Sequence, residues 1–128
     1  MSANIRGTIY AVMAAFFWSR LQPGIETVLD TVHFAEAAAD ADMVLTGEGK
    51  LDTQSLRGKV VCGVAKRAGD TPVVAIVGDV GDGIEAVYDM GVKAVFSINR
   101  VAVPYEKARL RAKGDLRDTV ADVMRLLK

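Results

Sequence analysis

The chain has 128 residues, 51% of them hydrophobic, with sixteen basic and sixteen acidic side chains and no net charge. That length suits one domain with a real core and is short for two. The lack of a basic excess argues against a nucleic-acid binder, and the single cysteine, Cys62, cannot form an intrachain disulfide and fits a reducing cytoplasm.

The first predicted element is an apolar helix within residues 1–20, with Ile9, Val12, Met13, Phe16 and Phe17 on one face. Its run from Gly7 to Trp18 is well below the ~20 residues of a membrane span. No small-x-small cleavage site follows Trp18, so a signal peptide is not expected. A contiguous apolar face of this kind favours association, and a homo-oligomer built through this helix is expected.

Pro23 and Gly24 restart the chain, and Ile25, Val28, Leu29 and Val32 recur at the spacing of a second amphipathic helix. His33, Phe34 and an alanine-rich turn lead into a short strand over Met43 to Thr46. His33 is the lone histidine, and nothing near it in sequence would orient it as a base. Leu56, Val60, Val64 and Ala68 then mark a helix stopped by Gly69 and Asp70, in which Cys62 reads as a buried structural thiol. A wholly apolar strand follows over Val73 to Val77.

Beyond Gly78, Asp82 and Glu85 suggest a capped short helix ending at Tyr88 and Met90, with Gly91 as its left-handed stop. The third strand is expected over Ala94 to Ile98, and the tail helix is expected to carry Asp115 and Asp118 in its first turn. That tail offers packing and no evident chemistry. Apolar strands alternating with helices predict an α/β fold, a Rossmann-like parallel sheet with helices on both faces. Right-handed crossovers then gather the loops 47–55, 78–83 and 99–103 at one sheet edge, where ligands of open α/β sheets bind.

The loop Gly78-Asp79-Val80-Gly81-Asp82-Gly83 reverses the dinucleotide fingerprint, and no G-x-x-x-x-G-K-[ST] run occurs. The stretch TGEGKLDTQSLRGK, from Thr46 to Lys59, is richer. Gly47 and Gly49 would let backbone approach a ligand, and Glu48 and Asp52 are hard oxygen donors suited to Mg²⁺. Gln54, Ser55 and Lys59 sit at a predicted helix start, where free amides favour an anion. A structural reading stands beside this one: Asp52 or Thr53 as a cap, Lys59 on a solvated face, and the glycines as turn formers.

LQPGIETVLD, ADMVLTGEGKLDTQSLRGK, PVVAIVGDV and GVKAVFSI together resemble the C-terminal part of the bacterial glycerate kinases, from Leu21 to near the chain end. The resemblance implies an ATP- and Mg²⁺-dependent phosphorylation of D-glycerate, usually at the 2-hydroxyl, in a larger two-domain kinase fold. It carries Gly47, Glu48, Gly49, Asp52, Gln54 and Lys59 over as site candidates, with Thr46 and Ser55 beside them. On this basis Glu48 and Asp52 would serve metal or substrate hydroxyl, Gln54 orientation and Lys59 phosphate charge. The second reading from sequence is an inactive α/β module that oligomerises or awaits a complementing chain.

Overall fold

Val73–Val77 is buried along its whole length, the pattern of a strand covered on both faces. A computed structural model describes residues 24–57 and 60–127. The apolar N-terminal helix expected before Gly24, and Lys59, lie outside the described residues. In chain order the elements are α1 (Gly24–Thr31), α2 (Phe34–Ala39), β1 (Val44–Thr46), β2 (Lys50–Leu51), a 3₁₀ turn (Ser55–Arg57), α3 (Val60–Arg67), β3 (Val73–Val77), β4 (Asp79–Val80), α4 (Ala86–Asp89), β5 (Val92–Ser97) and α5 (Tyr105–Leu126).

The main sheet has the order β1-β3-β5 and is parallel throughout, as the three apolar runs predict. Its central strand separates two packing layers. On one face Val73, Ala75 and Val77 meet Leu29 of α1, Val61 of α3 and Val87 of α4. On the other, Val74 and Ile76 meet Val120 and Val123 of α5. Each fully buried valine is worth roughly 1.5–3 kcal/mol over its exposed state, so β3 is the anchor of the fold.

Between the face helices, α1 and α3 approach closely because Gly63 has no side chain: a Cβ there would lie 2.8 Å from the Ile25 side chain. Arg67 at the end of α3 then clamps α1, its guanidinium donating to Glu26 at 2.7 Å and also to Asp30. Packing and charge thus fix the same pair of helices.

Several elements differ from the sequence reading. The alanine-rich stretch after His33 is a helix, α2, entered through His33 in the left-handed region at φ 52. Alanine is the best helix former, and six residues suffice once Ala38 is buried against the rest of the domain. Asp82 does not cap α4, which starts at Ala86 after Glu85 without a side-chain cap. The tail helix begins at Tyr105 behind Pro104, so Asp115 lies in mid-helix rather than in its first turn. Proline starts a helix readily because its missing N–H is not needed there, and Gly114 is carried inside at a modest cost in propensity.

Candidate active site

The stretch after β1 does not leave the sheet at once. Lys50 faces Asp79 and Leu51 faces Val80 in a second parallel ladder, β2 with β4. This ladder keeps the register of β1 with β3, so the two strand pairs form one interrupted ribbon. The amides of Gly78 and Asp79 donate to the carbonyls of Glu48 and Gly49 at 3.1 and 3.0 Å, and that of Gly81 donates to Leu51 at 2.7 Å. The loops 47–55 and 78–83, which the crossovers gather at one edge, are therefore hydrogen-bonded together.

The interruption is made of glycine. A Cβ on Gly47 would stand 2.3 Å from the Ile76 carbonyl oxygen, and one on Gly78 would stand 2.4 Å from the Gly49 carbonyl oxygen. Both residues are required by the crossing of two backbones. Gly49 differs, because a Cβ there would meet nothing within 4 Å. Of the candidate glycines, Gly49 alone keeps free space where a ligand could approach.

At this edge the strand ends and α5 enclose a cleft of about 1030 Å³. Thr46, Gly47, Glu48 and Gly49 line it from the β1 side, joined by Gly78 and Asp79. Asn99 beyond β5 completes the polar end. The third strand is tied to the same junction: the Ile98 amide donates to the Val77 carbonyl at 2.9 Å, and the Ser97 hydroxyl donates to the Gly78 carbonyl at 3.3 Å while accepting from the Asn99 amide at 3.1 Å.

Glu48 is the unusual member. Its Oε1 is buried and has no hydrogen-bond partner. A buried carboxylate oxygen left unsatisfied costs about 1–3 kcal/mol or more, and native structures rarely tolerate it without a reason. Its charge also reaches the core side: burial first and the Glu48 carboxylate second push the Cys62 thiol above its ordinary range. Cys62 is buried and protonated, as a structural thiol should be.

The second half of the candidate stretch is placed elsewhere. Asp52 Oδ1 accepts from the amides of Gln54 and Ser55 at 2.9 and 3.2 Å, which is the geometry of a cap on the 3₁₀ turn. Ser55 is fully buried, its hydroxyl donating to the Lys50 carbonyl and accepting from the Asp52 amide, both at 3.2 Å. Gln54 is exposed. None of these three lines the cleft, so the structure brings Thr46, Gly47, Glu48 and Gly49 together and sets Asp52, Gln54 and Ser55 apart.

Three contributors were not legible beforehand as site residues: Asp79, Asn99 and the inner face of α5. For Asp79 a signal existed, an acid directly after a fully apolar strand and its glycine. For α5 there was none, since Ala108, Ala112 and Asp115 look like ordinary helix positions. Asp115 is nevertheless 7% exposed and held by Arg111, whose Nη2 and Nε donate to its carboxylate at 3.0 and 3.2 Å. Among the described residues no group of three or more His, Cys, Asp and Glu could hold a metal alone, and no helix is long and apolar enough to cross a membrane.

Comparison with known proteins places the chain in a family. A profile described as the glycerate kinase family matches residues 6–128. A glycerate kinase of Halalkalibacterium halodurans is 45% identical over 98 residues, covering 75% of this chain and 26% of that protein. A glycerate kinase of Bacillus subtilis is 39% identical over 128 residues, covering 98% of this chain and 34% of the relative. A glycerate 2-kinase of Escherichia coli is 39% identical over 98 residues, with 75% and 26% covered. The chain thus spans 26–34% of the length of these relatives.

Proposed function

Because the chain belongs to the glycerate kinase family, we propose that it contributes a phosphoryl-transfer site that phosphorylates D-glycerate with ATP, and that the cleft at the strand ends is this site. The observation that carries the reading is Glu48, a carboxylate at the end of a strand with a buried oxygen that nothing in the protein satisfies. Such a group wants a hydroxyl donor or a cation.

In this reading Glu48 receives the hydrogen bond of the glycerate hydroxyl that attacks, holding its oxygen toward the phosphoryl group. The open Cα of Gly49 lets the substrate come against the backbone, and Thr46 offers a hydroxyl at the strand end. Glu48 and Asp79 share the cleft and fit the one or two carboxylates that Mg²⁺ takes from protein when phosphates complete its shell. Bound there, Mg²⁺ would neutralise phosphate charge. Asp52 and Ser55 support the loop that carries Glu48, and Lys59, outside the described residues, is proposed for phosphate charge.

The test is a coupled assay of ATP-dependent D-glycerate phosphorylation by this polypeptide and its Glu48→Gln variant. Turnover that falls at least a hundredfold in the variant supports the reading, on the scale of losing one positioned polar group. Absence of turnover in the unaltered chain, or equal rates in both, rejects it.

A further inference from the structure

The cleft has two chemically distinct ends. Glu48, Gly49 and Asp79 form the end at the strand termini, whereas Val101, Val103, Ala108, Ala112 and Leu116 form an apolar end against α5. Ala108 and Ala112 are one helical turn apart, and both line the cleft. Small side chains on that stripe leave width between the helix and the 101–103 segment. At the start of α5 stands Tyr105, 77% exposed, an aromatic ring on the cleft wall.

Charge narrows what this end can hold. Among the described residues Arg109 is the one cation on the cleft wall, and it lies 3.3 Å from Glu106. Asp115 has Arg111. A polyanion at the apolar end would lose its water without gaining a free counter-charge, while a flat uncharged heterocycle would exchange water for aliphatic and aromatic surface.

We propose that the apolar end binds the purine ring of the nucleotide, stacked on Tyr105 and lying along Ala108 and Ala112, with the phosphates directed to the Glu48 end. This assignment rests on the kinase reading above and divides the same cleft into a base subsite and a transfer subsite. It makes Tyr105 a binding residue and Ala112 a residue whose small size sets the width of the subsite.

The test is titration of the full chain with adenosine, which carries no phosphate, followed by backbone amide NMR shifts. Shifts centred on Val101, Ala108 and Ala112 are expected. Affinity is expected to fall about tenfold in Tyr105→Ala, the scale of one lost aromatic stack, and at least as far in Ala112→Leu. Tyr105 is too exposed for its loss to unfold the domain, and circular dichroism checks the second variant. The assignment is overturned if adenosine leaves those amides unmoved, or if Tyr105→Ala binds as tightly as the unaltered chain. Phosphorylation of D-glycerate without adenosine shifts at α5 would sink the base subsite and spare the kinase reading. Adenosine shifts at α5 without any phosphoryl transfer would do the reverse.

Discussion

Gly47 and Ile76 cross so closely that a single added carbon on the glycine would stand 2.3 Å from the isoleucine carbonyl oxygen. Neither backbone can yield, since Ile76 belongs to the buried central strand and Gly47 continues directly from β1. Gly47→Ala is therefore expected to destabilise the domain by about 2–3 kcal/mol, as overpacking a tight site does. Gly49→Ala has open space around it and is expected to change stability by less than about 0.5 kcal/mol. Urea unfolding of the two variants checks the contrast, and equal losses would mean that the crossing is not the constraint.

Glu48→Gln should separate function from stability. Removing the charge on a buried, unpartnered oxygen is expected to leave the fold as stable as before or more so by up to about 1–2 kcal/mol, even as D-glycerate turnover is lost. The same change removes a negative neighbour of Cys62, so the thiol should ionise at lower pH. Thermal melting, the coupled assay and the pH profile of thiol alkylation read the three effects. A variant that loses stability and activity together would make Glu48 a structural residue.

Asp52 should behave in the opposite way. Its carboxylate caps the turn through the amides of Gln54 and Ser55, so Asp52→Ala is expected to cost about 1 kcal/mol and Asp52→Asn much less. Turnover in Asp52→Asn should stay near that of the unaltered chain. A hundredfold loss in the asparagine variant would return Asp52 to the metal or substrate role.

Asp122 gives an acid-sensitive tether. Hydrogen bonds from Arg100 and then Arg125 hold its carboxyl below the usual value of 3.8, linking the segment after β5 to α5. A lowered carboxyl contributes stability that is present above its unfolded pKa and lost as pH falls through the folded one. The melting temperature of Asp122→Asn should therefore lie below that of the unaltered chain at neutral pH, and the gap should close as the pH drops below 3.8. A gap that is constant with pH would assign the effect to packing.

The elements legible in the sequence are those whose causes are local. Apolar runs at Met43–Thr46, Val73–Val77 and Ala94–Ile98, separated by helix-length segments, pointed to the parallel sheet with helices on both faces, whose strands run Val44–Thr46, Val73–Val77 and Val92–Ser97. Gly69 and Gly91, at φ 62 and 104, were legible as helix stops because only glycine enters that region freely. The dense polar stretch from Thr46 was legible as an unusual strand end, and the edge on which it lies followed from the handedness of the crossovers.

Which of those polar residues meet one another was decided by tertiary structure. Glu48 and Asp52 are four residues apart, on either side of β2, yet Glu48 lines the cleft while Asp52 is committed to local amides. Gly47 and Gly49 look alike in sequence, and only the position of Ile76 makes one a steric necessity and the other free space. The opposite wall is supplied by a helix some sixty residues further along the chain. Ala108 and Ala112 carry no local mark of a site, because what qualifies them is the width left between two elements that meet only when the chain is folded.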